Sequence, residues 1–293
     1  FNFICLERLI YFLTKKKINF LFFLYFLSFS FVCIFFYRLG EHGTDKSSQI
    51  ILILIMINFI IFNYFEKSFH NLNNIANLIL ILVLLAAGMK ALYYMYLIFL
   101  PFILIKKNFL KNYLNLNKIP ILTYLLISFV FNISINFFNT GCLIYPASKL
   151  CFDNFSWSIN KKEVSQLKVH YEWWSKSGGG PNYSHELNKN EYIKNFNWVE
   201  NWIERHFFNK VSDTLFGVLF MCAIFIMIFF SKKKKKNNKK FILIYVLILI
   251  FLAEWFLKHP AMRYGGYVLI AFPIILVSST ILSKFLNSFN KVK

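Results

Sequence analysis

The polar segment from Asn139 to Ser212 is the longest stretch of this chain that a bilayer cannot accommodate. On both sides of it, apolar runs long enough to cross roughly 30 Å of hydrocarbon alternate with short polar connections. Because the segment must lie on one side of the membrane, it fixes the orientation of every run beside it. A function has to be built from this segment and from the loops that share its side.

The composition is that of a membrane protein. Hydrophobic residues make up 58% of the chain and aromatic residues 20%, and the mean hydropathy is +0.53, all outside the range of soluble domains. The apolar runs have the length of membrane-spanning helices. We therefore predict an all-α fold, a polytopic transmembrane helical bundle with one mostly helical segment outside the cytoplasm.

The net charge of +20 comes largely from lysines beside the ends of the apolar runs. They are densest in SKKKKKNNKK, from Ser231 to Lys240. The positive-inside rule assigns such clusters to the cytoplasm. This placement leaves no basic face with interleaved stacking aromatics, so we expect membrane lipids as partners and no nucleic acid.

Counting crossings from these clusters gives about eight spans, with residues 139–212 outside the cytoplasm. The spans are expected at residues 20–37, 50–65, two short arms within 75–105, 120–138, 214–230, 241–257 and 267–282. The chain then divides into three parts. Residues 1–138 hold transmembrane helices and a short hairpin near 75–105, residues 139–212 form the extracytoplasmic segment, and residues 213–293 hold three transmembrane helices.

The hairpin is inferred from one charge. The apolar run from Ile75 to Ile105 contains Gly88, Met89 and Lys90 at its middle. A single tilted helix would leave the Lys90 ammonium in the bilayer, where a charge is costly, and would bring the lysines after the run to the outer side. We therefore expect two helical arms, each shorter than a full span, with a tight turn at Gly88–Lys90 facing outward.

Two cysteines lie near the start of the outer segment. Cys142 and Cys151 are separated by a short stretch that contains Pro146, a spacing that permits a disulfide in an oxidising compartment. The alternative is a pair of buried free thiols. No other Cys or His spacing indicates a metal site, so none is predicted.

The outer segment also predicts two amphipathic helices. The first runs from about Asn160 to Trp174, with Ser158 or Asn160 as its cap. The second, Asn197 to Asn209, carries two tryptophans on its apolar face. That face either lies flat in the outer membrane interface or packs on the helical bundle.

The outer loops carry many ionisable residues for their length. The candidate catalytic carboxylates are Glu41, Asp45 and Glu254. The candidate phosphate-binding residues are Lys90, Tyr93, His259, Arg263 and Tyr264. Lys90 and Arg263 together can hold an anionic phosphate head group at the outer surface. Snorkelling and ordinary loop solvation are the alternative for each single residue.

Two sets of motifs resemble known families. GEHGTD, residues 40–45, and LLAAGMKALYY, residues 84–94, resemble the middle of polytopic GT-C-type glycosyltransferases, which use polyprenyl-phosphate sugars on the non-cytoplasmic side. GCLIYP, CF, SWS and HPAMRYGGY resemble more closely an uncharacterised family of bacterial membrane proteins linked to surface polysaccharide. The resemblance implies a lipid-linked sugar as substrate, no separate cofactor, and a bacterial inner or plasma membrane.

One departure from these families bears on catalysis. GT-C enzymes carry their catalytic carboxylate in a first outer loop near the N-terminus, and the closer family has an acidic motif with a histidine upstream of the matching residues. Neither is present, and the chain begins with Phe1. We therefore expect a C-terminal part of a longer protein.

Three functions follow as hypotheses. In a glycosyltransferase, Lys90 and Arg263 would clamp the leaving phosphate, and Glu41 or Asp45 would order the acceptor. In a polysaccharide or lipid transporter, Glu254 and Lys90 would line a path between broken helices. In a non-catalytic assembly subunit, the outer segment would dock a partner.

Overall fold

The computed structural model describes residues 1–37, 43–105, 119–178, 188–229 and 241–285, and this part of the chain is all-helical, with no β-strand. In chain order the first α-helices are α1 (Asn2–Thr14), α2 (Phe20–Phe35), α3 (Asp45–Ile60), α4 (Phe69–Met89), α5 (Phe99–Ile105), α6 (Ile119–Thr140) and α7 (Lys161–Lys176). Two four-residue helices follow, α8 (Lys189–Tyr192) and α9 (Val199–Trp202). The remaining helices are α10 (Ser212–Ile228), α11 (Ile242–Lys258) and α12 (Gly266–Phe285). The all-α prediction is confirmed.

Each predicted span corresponds to a helix, but the helices differ in length. Five helical stretches of the described chain are long and apolar enough to cross a membrane: Asp45–Phe65, His70–Met89, Thr123–Thr140, Val199–Ile228 and Gly266–Lys284. The stretches Phe20–Phe35 and Ala91–Ile105 are apolar but shorter. These lengths are consistent with an integral membrane protein, and the predicted count of eight spans stays a prediction.

Asparagine side chains cap two of the helices, one of them at a predicted position. The Asn19 side chain accepts a hydrogen bond from the Phe22 N–H at 3.1 Å and begins α2. Of the two caps expected for the first outer helix, Asn160 acts, because its Oδ1 accepts from the Lys162 N–H at 2.9 Å at the start of α7. Each cap satisfies one of the backbone donors that a helix leaves without an internal partner.

The chain divides into two compact units. The first contains residues 1–53, 176–181 and 198–293, and the second contains residues 54–175 and 182–197. In the first unit α12 packs on α2, α10 and α11, and α1 packs on α2. Phenylalanine fills the contact of α2 with α10, where the rings of Phe26 and Phe225 lie 4.8 Å apart at an edge-on angle of 68°.

In the second unit the backbone changes course at Lys90. Helix α4 ends at Met89, Lys90 is extended, and a 3-10 helix, Ala91–Ile98, begins directly after it and packs back on α4. α4 begins at Phe69 rather than near residue 75, because the polar stretch HNLNN is helical as well. The first arm is therefore as long as a full span, contrary to the expectation that both arms would be short.

Helices α4 and α6 of this unit meet at a glycine. A Cβ on Gly88 would lie 2.5 Å from Oδ1 of Asn132, so a larger residue there would require the Asn132 side chain to move. Close approach at a small residue is typical of helix pairs in membranes.

The second amphipathic helix packs on the bundle. It forms one continuous helical stretch, Val199–Ile228, with α10, because no proline or glycine separates it from that span; residues Ile203–Val211 are π-helical. Trp198 and Trp202 are 2% and 5% exposed, and both rings contact Phe256 of α11. Of the two predicted placements, packing on the bundle is the one observed.

Candidate functional site

The strongest arrangement of predicted site residues is an ion pair in the first unit. Asp45 is the first residue of α3, and Arg263 lies in the loop between α11 and α12. Arg263 Nε donates to Asp45 Oδ2 at 2.7 Å, with the Asp45 side chain 5% exposed and the Arg263 side chain 45% exposed. A carboxylate in the first turn is also stabilised by the N-terminal end of the helix dipole. The pair thus orients a partly accessible guanidinium.

The backbone beside Arg263 is held by a buried amide. Gln49, one turn after Asp45, is fully buried, and its Nε2 donates to the carbonyls of Met262 and Arg263, each at 3.3 Å. A single side chain of α3 therefore fixes two successive peptide groups of the loop. Polar groups withdrawn from water in this way need partners, so the pairing stabilises both sides.

Two tryptophans bind the preceding residues of the same loop. Trp202 Nε1 donates to the Pro260 carbonyl at 2.9 Å, and Trp255 Nε1 donates to the Ala261 carbonyl at 3.0 Å. Both indoles are 5% exposed. An indole has one N–H donor and a large apolar body, so each tryptophan satisfies a carbonyl while it fills the interior.

A histidine completes the set of contacts. His206 is 2% exposed, and its Nε2 accepts a hydrogen bond from the Met262 N–H at 3.2 Å. A nitrogen that accepts a hydrogen bond carries no proton, so the neutral imidazole of His206 holds its proton on Nδ1.

The two glycines after Arg263 make this loop geometry accessible. Gly265 has a φ of +99°, in the left-handed region, which favours glycine. A Cβ on Gly266 would lie 2.6 Å from Cζ2 of Trp255. The motif HPAMRYGG therefore encodes a backbone that side chains of α3, α11 and the helix before α10 hold in place. We call residues 259–265 the clamped loop.

The other predicted residues fall in several places. His259 and Tyr264 belong to the clamped loop, with ring centroids 5.4 Å apart. Glu254 lies one turn before the end of α11 and is half-buried. Glu41 and the lysines of residues 230–240 lie outside the described residues.

Lys90 and Tyr93 belong to the second unit. Lys90 is half-buried where α4 gives way to the 3-10 helix, and its carbonyl accepts from the Tyr93 N–H at 3.0 Å. Tyr93 is 1% exposed, with its ring 6.2 Å from that of Tyr96. The joint clamp of Lys90 and Arg263 stays a prediction.

The two predicted cysteines are bonded. Cys142 and Cys151 form a disulfide, and Val164 of α7 packs on it in a small buried cluster with Tyr145 and Ile159. Among the described residues, no group of three or more His, Cys, Asp or Glu side chains has the arrangement of a metal site.

Sequence reasoning missed the residues that hold the clamped loop. Gln49, Trp202, His206 and Trp255 were not among the candidates, although Gln49 is an amide at the very start of an apolar run. That position was the available signal, because a polar group beside a membrane span needs a partner.

The described part of the chain is all-helical and has five helices long and apolar enough to cross a membrane, which is consistent with an integral membrane protein. The chain belongs to the family described as domain of unknown function DUF8201, whose model matches residues 1–270. The match includes both the disulfide loop and the clamped loop. No curated protein and no solved structure matches the chain.

Proposed function

We propose that this protein acts on a lipid-linked sugar in the assembly of cell-surface polysaccharide, as a GT-C-like glycosyltransferase or its C-terminal part. The observation that carries the proposal is the ion pair of Asp45 with Arg263. The substrate class comes from the resemblance of the HPAMRYGGY and GCLIYP motifs to proteins linked to surface polysaccharide. The geometry adds a way to bind its phosphate.

A guanidinium is well suited to a phosphate because its planar N–H donors match phosphate oxygens. With its side chain 45% exposed, Arg263 can be reached by an anion at the bilayer surface. Asp45 and the backbone contacts of Gln49 hold it in one orientation before the anion arrives. Such preorganisation lowers the entropic cost of binding.

The same geometry separates the roles of the carboxylates. Asp45 is buried and bonded to Arg263, so we assign it to positioning rather than to proton abstraction from an acceptor hydroxyl. Inverting transfer needs a carboxylate base with access to the acceptor. Glu41, Glu254 or a carboxylate of a preceding segment would supply it.

The placement in the cell is part of the proposal. Eight crossings, with residues 139–212 outside the cytoplasm of a bacterial inner or plasma membrane, follow from the lysine clusters. The short helices α2 and α11 and the stretch Ala91–Ile105 would then cross as well. Attachment of a thiol reagent to single cysteines at positions 162 and 237 in intact cells tests it, because Lys162 is an exposed residue of the segment, and labelling is expected at 162 alone.

The test of function uses the protein in native membranes, with transfer of labelled sugar from a polyprenyl-phosphate donor as the readout. Arg263→Gln removes the charged donors, and we expect donor use to fall by about tenfold or more, since a charge-assisted hydrogen bond contributes roughly 1.5–3 kcal/mol. Asp45→Asn removes the carboxylate that orients the guanidinium, and we expect a smaller loss.

Lys168→Gln is the matched control, because it removes an exposed positive charge from α7, outside the proposed site. Equal transfer and equal surface glycan in the Arg263→Gln and Lys168→Gln strains would overturn the phosphate-binding role.

A further inference from the structure

A second surface of the protein lies at the C-terminal end of α6 and takes no part in the proposed site. Phe137, in the last turn of that helix, contacts four other aromatic rings edge-on, at centroid distances of 5.4–6.1 Å. The four rings are those of Phe138, Phe152, Phe155 and Trp157. We call these five residues the aromatic patch.

The aromatic patch faces outward from the second unit. Phe138 is 70% exposed, and Phe152, Phe155 and Trp157 are each 43–45% exposed. The rings of Phe155 and Trp157 are stacked, 5.1 Å apart and 13° from parallel. Four large aromatic side chains in one contiguous exposed group are unusual on a surface that faces only water.

The backbone holds this patch against the helix end. The Phe152 N–H donates to the Gly141 carbonyl at 2.8 Å, and the Ile159 N–H donates to the Thr140 carbonyl at 3.1 Å. Gly141 has a φ of +76°, and a Cβ there would clash with Cβ of Ser158. Because Cys142 and Cys151 are bonded as well, the loop is a fixed extension of α6 rather than a free connection.

What covers the aromatic patch can be inferred from α6, because the exposed apolar face of that helix continues into the patch. Only 6% of the residues of Thr123–Thr140 are buried, and large apolar side chains are exposed along it. Those side chains are Leu126, Ile127, Val130, Phe131 and Ile135. Such a face is stable in lipid, and the aromatic patch begins where that face ends, at Phe138.

We propose that the aromatic patch lies in the boundary between head groups and acyl chains of the phospholipid bilayer and fixes the depth of α6. Aromatic rings concentrate at this boundary, and an indole there combines an apolar body with one wet N–H. The exposed Lys149 of the same loop is suited to lipid phosphate. The proposal needs α6 to cross a membrane and is independent of sugar transfer.

The test measures quenching of tryptophan fluorescence by brominated phosphatidylcholine in vesicles that contain the full chain. Trp157 is one of six tryptophans, so the comparison is between the unmodified chain and Trp157→Phe. The fluorescence of the unmodified chain should contain a component that is missing from Trp157→Phe. Bromine atoms near the head groups should quench this component more strongly than bromine atoms deep in the acyl chains. Trp173→Phe is the matched control. Trp173 belongs to the same segment but not to the aromatic patch, and the Lys189 ammonium lies over its ring, 4.6 Å from the ring centroid.

Two outcomes overturn the proposal. If the Trp157 component is quenched by aqueous iodide and not by brominated lipid, the patch faces water and is open to a soluble ligand. If neither agent quenches it, another protein surface covers the patch. Retention of the chain in vesicles after alkaline carbonate extraction shows that it remains integral, so a failure at Trp157 is distinguished from a failure of the membrane placement.

Discussion

Gly266→Ala tests the packing that supports the clamped loop. An added Cβ would lie 2.6, 2.7 and 2.9 Å from Cζ2, Cε2 and Nε1 of Trp255, whereas carbon atoms in contact lie about 3.5–4.0 Å apart. The indole would have to move by about 1 Å. It is 5% exposed and bonded through Nε1 to the Ala261 carbonyl, so this movement strains the core and breaks that bond.

The expected effect on stability has a definite sign. Overpacking costs about 1–3 kcal/mol, and a buried carbonyl without its donor costs about 1–3 kcal/mol more. Replacement of glycine by alanine without a clash instead stabilises by about 0.4–1 kcal/mol. We therefore expect Gly266→Ala to lower the free energy of unfolding by about 1–5 kcal/mol.

Unfolding by SDS in mixed micelles, followed by tryptophan fluorescence, measures this change. Trp255→Phe supplies the control, because a smaller ring leaves room for the new methyl group. In a double-mutant cycle Gly266→Ala should then be much less destabilising in the Trp255→Phe background. A Gly266→Ala protein as stable as the unmodified chain, or more stable, would show that the glycine is not required by the indole.

Two other perturbations have outcomes that the structure specifies. Trp202→Phe removes the donor to the buried Pro260 carbonyl and should lower the free energy of unfolding by about 1–3 kcal/mol in the SDS unfolding assay. Trp157→Phe, at an exposed tryptophan, is the control and should change the stability little. Cys142→Ser removes the disulfide and should lower the free energy of unfolding by roughly 2–3 kcal/mol. A reductant should lower the stability of the unmodified chain by the same amount and should leave that of the variant unchanged.

The helices could be predicted from the sequence because their signals are local. Apolar runs bounded by polar residues gave the all-α class, and the charge of Lys90 within such a run marked the place where α4 ends. The start of α4 was misplaced because HNLNN is polar yet continues the helix, which hydropathy alone does not reveal.

The clamped loop could not be predicted in the same way. Gln49 bonds a carbonyl 213 residues further along the chain, and Asp45 bonds a side chain 218 residues away, so no window of sequence contains both partners. The amphipathic helix with Trp198 and Trp202 had an evident apolar face, but periodicity does not say what covers it. The charge of Arg263 was enough to identify it as a phosphate-binding candidate. Its partner Asp45 was instead expected to order the acceptor substrate.

The distance along the chain between Gln49 and Met262 has a consequence for biosynthesis. Translation at about 5–20 residues per second delivers the second partner roughly 10–40 seconds after the first. Throughout that interval the first residues of α3 carry a carboxylate and an amide whose final partners do not yet exist. The nascent protein therefore cannot finish assembling this part of its structure until the clamped loop has been synthesised, and truncation before Arg263 should leave a chain that quality-control proteases remove.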